Sequence, residues 1–140
     1  MKNLLFIVIL MISFSMSYGQ KERSYNRTGV KDYMAGEFND AELDFMKALE
    51  YDSTSFAANY NTASTLYKLG KYAEANEILA KLANTSDSPE HLPDMLHNLG
   101  NNFMKQEMYD KSIEAYKNSL RLRPDDDETR YNLGYAQAKL

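Results

Sequence analysis

The chain of 140 residues has no cysteine, no tryptophan, three prolines and two histidines. Without cysteine there is no disulfide to brace the fold and no thiolate set for structural zinc. His91 and His97 stand six apart, off the i, i+4 spacing that puts two imidazoles on one helix face. An excess of positive charge is missing as well. Lys and Arg number 16 against 20 Asp and Glu, for a formal charge of −4. Nucleic-acid binding rests on a basic stripe, so that partner class is excluded. No phosphate-cradling glycine loop and no nucleophile elbow occur. The acidic run Asp125–Glu128 lacks the alternating ligands and central glycine of a calcium loop, and reads as a solvated helix start. Neither catalysis nor a bound cofactor or metal is expected.

The one long hydrophobic run lies at the start. Lys2 is followed by nine apolar residues, Leu4 to Ile12, and then by a serine-diluted stretch with Ser17-Tyr18-Gly19 at its end. That is the layout of a secretory signal over residues 1–19, which leaves 20–140 as one exported domain. The alternative is a retained inner-membrane anchor over residues 4–17. An anchor needs about 20 predominantly apolar residues, and the shorter run ending in serines favours the cleaved signal.

What is present in quantity is periodicity. Gly29, Ala63, Gly100 and Gly134 recur at intervals of 34, 37 and 34 residues. A small residue at that period marks stacked helix-turn-helix units, whose extended faces grip other proteins. The units run about 22–55, 56–89 and 93–126, with a half unit at 127–140 and an insertion at 90–92. Apolar residues at three- and four-residue spacing give each second helix a buried stripe. The stripes are Phe38, Ala41, Phe45, Ala48 and Leu49; then Tyr72, Ala75, Leu79 and Leu82; then Tyr109, Ile113, Tyr116 and Leu120. The small residues mark close helix crossings, with Ala41, Ala75 and Ser112 expected to face them. Gly36 and Gly70 fall where the chain must turn back in the left-handed conformation. Glu107 stands at the third such turn, which is therefore expected to be looser or differently shaped. Pro93 belongs in the opening turn of its helix.

These residues resemble the tetratricopeptide repeat. Asn98-Leu99-Gly100-Asn101, Tyr131-Asn132-Leu133-Gly134 and Gly70-Lys71-Tyr72-Ala73-Glu74-Ala75 carry the resemblance, which covers essentially all of 20–140. Ser53 and Asp87 depart from it in place of a closing proline. The resemblance implies an all-α, right-handed α-solenoid of about 3.5 helix-turn-helix units. It also implies a concave face lined by first helices. One row of that lining reads Asn26, Tyr60, His97 and Tyr131; a second Arg27, Asn61, Asn98 and Asn132; a third Val30, Ser64, Asn101 and Tyr135. Tyr33, Tyr67 and Met104 continue it one turn on. Amides can pair with a peptide main chain, and tyrosines give flat area with a polar tip; the asparagines equally serve to seat adjacent helices. Chaperone-binding members clamp a terminal carboxylate with Lys, Asn and Arg, but Val30 and Asp94 occupy two of those positions here, so that ligand class is not expected.

The order of signal, repeats and the segment Tyr116–Leu133 is also similar to the repeat proteins of the bacterial aerotolerance operon, the BatC type. That resemblance implies an exported scaffold in the periplasm or envelope of a Gram-negative bacterium, beside membrane-anchored von Willebrand factor A-type proteins. Members often carry a charged tail, which is not seen before Leu140. Two other readings stay open: a part in an outer-membrane assembly or secretion apparatus, and self-assembly. For the second, Leu133, Ala136 and Leu140 share a face of the last helix through which a homo-oligomer would form.

Overall fold

A computed structural model describes residues 2–85 and 89–140, and for residues 2–16 it gives the helix but not the side chains. The side chains of the Leu4–Ile12 run therefore lie outside the described residues, as does the Asp87 departure. Every element among the described residues is helical: α1 (Lys2–Ala35), α2 (Phe38–Tyr51), α3 (Phe56–Lys68), α4 (Tyr72–Thr85), a 3-10 turn (Pro89–His91), α5 (Leu92–Lys105), α6 (Tyr109–Leu122) and α7 (Asp127–Lys139). No helix among the described residues is long and apolar enough to cross a membrane. The chain divides into two compact lobes, Met1–Thr65 and Leu66–Leu140, with the division inside α3.

In the first lobe α1 packs along α2. Ala41, Phe45 and Ala48 of the α2 stripe are buried, with Phe38 and Leu49 half-buried at its edges. A Cβ built on Gly29 would stand 2.7 Å from the Phe45 ring, so the ring occupies the space the glycine leaves open. The turn from α2 into α3 contains Ser53 in place of proline, and side chains hold it instead. Asp52 Oδ1 accepts from the Thr54 amide at 2.9 Å and its hydroxyl at 2.7 Å. Ser55 Oγ donates to the buried Glu22 carboxylate of α1 at 2.8 Å.

The second lobe repeats the device. α6 packs on α5, and a Cβ on Gly100 would come within 2.4 Å of the Tyr116 ring. Ser112 does face Gly100, donating to its carbonyl at 3.0 Å, and Ser119 donates to Pro93 O at 2.8 Å. Pro93 sits in the first turn of α5, where its missing N–H costs nothing. α7 then lies against α6, with Ile113, Tyr116 and Ala136 forming a core patch edged by Met104 and Leu133.

The turn at Glu107 corrects an expectation. The turns at Gly36 and Gly70 each carry a pair of backbone bonds, Gly36 N–H to Tyr33 O with Glu37 N–H to Asp32 O, and Gly70 N–H to Tyr67 O with Lys71 N–H to Leu66 O. Glu107 N–H to Met104 O and Met108 N–H to Phe103 O reproduce the same pair at 3.1 and 2.9 Å. Glu107 itself takes φ 58, beside 83 and 76 for the glycines. The shape is kept, and the cost is a side chain in the left-handed region, about 1–2 kcal/mol.

Candidate functional site

Each lobe holds a hollow whose walls come from equivalent places in the repeat. In the first lobe a hollow of about 240 Å³ is lined by Val30, Tyr33 and Met34 of α1, Phe45 of α2, and Asn61 and Ser64 of α3. In the second, a hollow of about 290 Å³ is lined by Asn101, Met104 and Lys105 of α5, Tyr116 of α6, and Asn132 and Tyr135 of α7, and also by Tyr67 and Glu128. Each of the first six positions lies 71 residues before its counterpart: Val30 and Asn101, Tyr33 and Met104, Met34 and Lys105, Phe45 and Tyr116, Asn61 and Asn132, Ser64 and Tyr135. The glycines explain the floor. Because Gly29 and Gly100 lack a Cβ, the rings of Phe45 and Tyr116 pack directly against the first helix and, though buried, form part of the wall of the hollow.

The floors differ by one hydroxyl, and that changes the chemistry above them. Tyr116 OH donates to Asn101 Oδ1 at 2.6 Å, and Asn132 Nδ2 donates to the same oxygen at 3.2 Å. Burial pushes the Tyr116 phenol up to about 12, so it stays a proton donor. In the first lobe Phe45 has no hydroxyl, Val30 stands in place of Asn101, and Asn61 reaches the other way, donating to Asn26 Oδ1 at 3.0 Å. Tyr33 rests edge-on against Phe38 at 5.3 Å, and its burial raises its pKa.

Of the residues expected to line a groove, the structure gathers Val30, Tyr33, Asn61 and Ser64 in one hollow and Tyr67, Asn101, Met104, Asn132 and Tyr135 in the other. Six others stand outside both. Arg27 and Tyr131 are exposed, Tyr131 at 74%. Tyr60 is half-buried and stacked on Phe56 at 5.8 Å. Asn26 serves as the acceptor for Asn61, and Asn98 is half-buried on α5. His97 is built into the lobe: its Nδ1 lies 2.5 Å from Thr129 Oγ1, whose proton goes to Asp126 Oδ2 at 2.7 Å. The hydroxyl can then only accept, which places the imidazole proton on Nδ1. Nε2 faces Glu128 at 3.7 Å.

Met34, Phe45, Lys105 and Tyr116 line the hollows without having been expected there. Met34 and Lys105 follow Val30 and Asn101 at i+4, a spacing that shares a helix face and was readable. Phe45 and Tyr116 were readable as core stripe; their second role depends on the glycine opposite.

A second hollow in the second lobe, about 350 Å³, adjoins the first and shares Met104, Lys105 and Tyr135 with it, adding Glu107, Tyr109 and Lys139. The Lys139 ammonium stands 5.4 Å over the Tyr135 ring. Asp94 is turned away from such uses, since Arg123 holds both its oxygens at 2.5 and 3.2 Å. Among the described residues no three His, Cys, Asp or Glu side chains are grouped to hold a metal ion.

Two family models match the chain, one described as "Tetratricopeptide repeat" over residues 33–89 and one as "TPR repeat" over residues 94–140. No curated protein matches it. Among solved structures it is similar to the first repeat domain of Spaghetti (RPAP3) bound to an HSP90 peptide, with 19% identity, a TM-score of 0.77, and 86% of this chain and 93% of that one covered. The Arabidopsis OM64 repeat domain aligns at 12% identity and a TM-score of 0.79, covering 88% and 99%. MamA from Desulfovibrio magneticus aligns at 21% and 0.77, with 84% of this chain and 65% of that one covered. At these identities the likeness establishes the fold, an all-α helical-repeat solenoid. Together the two family models span well over half of the sequence, and the chain belongs to the tetratricopeptide-repeat family.

Proposed function

We propose that the protein is an exported, non-catalytic scaffold that binds a partner protein through peptide side chains seated in the hollow of each lobe. The observation that carries this reading is the recurrence of a half-open, side-chain-sized hollow at equivalent positions of the two lobes. Each has a half-buried asparagine amide at its edge, Asn61 or Asn132, able to pair with a peptide main chain. Domains of this fold bind HSP90 and HSP70 peptides in RPAP3. Here Val30 and the Arg123-paired Asp94 argue against a terminal-carboxylate clamp. The leader-like start of the sequence supports export to the periplasm or envelope. The similarity to aerotolerance-operon repeat proteins supports a place beside membrane-anchored von Willebrand factor A-type proteins.

Affinity capture from solubilised bacterial envelope tests this reading, with the full chain as bait beside an Asn61→Ala/Asn132→Ala variant. A membrane protein held by the first bait and lost from the second is the expected result. Identical captures by both baits would sink the assignment of these hollows. A second reading, self-association through α7, loses the face expected for it, because Ala136 is buried in the core with Ile113 and Tyr116 and Leu133 packs against them. It would have to use the exposed Tyr131, Tyr135 and Leu140 instead, and a mass that rises with concentration in light scattering would support it.

A further inference from the structure

The two hollows use the same six positions but fill them with opposed chemistry. In the first lobe the lining is Val30, Tyr33, Met34, Phe45, Asn61 and Ser64, with no charged group. Val30 and Met34 are exposed, Met34 at 80%, so the rim is apolar as well as the floor. In the second lobe the counterpart of Met34 is Lys105, the counterpart of Val30 is an amide, and the floor carries the Tyr116 hydroxyl. Lys105 has no ion-pair partner among the described residues. Lys139, across the adjoining hollow, meets only the face of Tyr135. The two glutamates nearby form an ion pair with neither lysine: Glu128, which also lines the first of these hollows, faces His97 at 3.7 Å, and Glu107 lines the adjoining one. Two ammonium groups without an ion-pair partner, lining the same hollow as an exposed tyrosine ring, call for an anion.

We propose that the hollows are two copies of one side-chain subsite with opposite preference: the α5–α7 copy takes a carboxylate side chain of the bound peptide, and the α1–α3 copy takes an uncharged aliphatic one. This rests on the peptide-binding reading above and deepens it by giving the peptide a composition. A hollow of about 240 Å³ has room for a leucine- or methionine-sized group. Burying an apolar group there gains the transfer free energy, whereas a carboxylate would lose its water against Phe45 and Val30 with nothing to answer it. In the second lobe Lys105 and Lys139 answer the carboxylate, and an aliphatic group would cover the amide atoms of Asn101 and Asn132 that lie outside their shared network, Asn101 Nδ2 and Asn132 Oδ1, without pairing them.

The test titrates the 15N-labelled full chain with two capped probes, acetyl-Gly-Glu-Gly-Glu-Gly-amide and acetyl-Gly-Leu-Gly-Leu-Gly-amide, and follows the amide shifts. The glutamate probe is expected to move Asn101, Asn132 and Tyr135, and the leucine probe Tyr33, Asn61 and Ser64. Lys105→Met/Lys139→Met should weaken the glutamate response about fivefold, and raised salt should weaken it too. Glu107→Gln should strengthen it. Val30→Asn/Met34→Lys changes exposed positions and should make the first hollow respond to the glutamate probe. Equal responses of both hollows to both probes would overturn the opposed preference and leave peptide binding standing. No response at either hollow, with the partner still captured from the envelope and still sensitive to Asn61 and Asn132, would overturn the subsites alone. Failure of that capture together with silent probes would remove both readings.

Discussion

The first lobe and the second are built on one plan and differ at its centre by a single hydroxyl, Phe45 against Tyr116. Both rings lie over a glycine and both form part of the wall of a hollow. Around Tyr116 the lobe has gathered acceptors and donors: Asn101 and Asn132 close a three-membered network on one oxygen. Around Phe45 it has gathered Val30 and Met34 instead. These two units keep a glycine and a ring at the helix crossing, where the middle unit has Ala63 and Leu79, and differ in the shell around the ring.

The comparison breaks most sharply at the glycines. Gly100→Ala puts a Cβ 2.4 Å from Tyr116 Cε1 and Gly29→Ala puts one 2.7 Å from Phe45. Overpacking of this kind costs about 1–3 kcal/mol, with Gly100 at the upper end. No described residue lies within 4 Å at Gly134, so Gly134→Ala should stabilise by about 1 kcal/mol through helix propensity. Urea unfolding followed by circular dichroism orders the three; equal effects would mean that the rings do not set the crossing.

Exchanging the rings is the next test. Phe45→Tyr brings a hydroxyl to a place where Val30 offers no acceptor, and an unsatisfied buried hydroxyl costs about 1–3 kcal/mol. Tyr116→Phe removes one hydrogen bond and leaves Asn101 its bond from Asn132, for about 1 kcal/mol. A neutral Phe45→Tyr would show that the first hollow is wetter than its lining suggests.

Helix ends give smaller effects. Asp126 caps α7 by accepting from the Thr129 amide at 3.0 Å, and Asp126→Ala should cost about 1 kcal/mol. That bond, with the Thr129 hydroxyl second, holds the Asp126 carboxyl below the ordinary 3.8. A depressed folded pKa means that the contribution is full above 3.8 and is lost as pH falls through the lowered value. Wild type and Asp126→Ala should therefore converge in stability only in strong acid, as a pH series of thermal melts would show. Smallest of all, Glu107→Gly relieves the left-handed side chain at φ 58 and should stabilise by about 1 kcal/mol or slightly less, since glycine also loosens the unfolded chain.

Much of this was legible in the sequence because helix periodicity is a local property. The buried stripes around Phe45, Leu79 and Tyr116 follow from three- and four-residue spacing alone. The site was legible as far as first-helix positions repeat, which is how Val30 and Asn101, or Asn61 and Asn132, come into register. Three things were not. The rings of Phe45 and Tyr116 reach the hollows through glycines on another helix, a contact no single helix announces. Asn61 and Asn132 hold the same repeat position yet bond in different directions, because their partners, Asn26 and Asn101, sit at different places. The Glu107 turn keeps its form because backbone hydrogen bonds outweigh a local preference worth little more than 1 kcal/mol.

One consequence belongs to α1 alone. Its 34 residues run from Lys2 to Ala35 as one helix, about 50 Å at 1.5 Å per residue. A rod without a joint has a fixed phase. Each residue turns the face by about 100°, so Asn26, Val30 and Tyr33 keep a set azimuth against residues near the start of the same helix. Where residues 1–19 are retained, as in the anchor reading, whatever grips the first half of α1 aims the first hollow, as the shaft of a key aims its bit. A two-glycine insertion just before Tyr18, whose ring packs on Tyr51, would uncouple the grip from the aim while leaving the contacts of residues 18–65 in place.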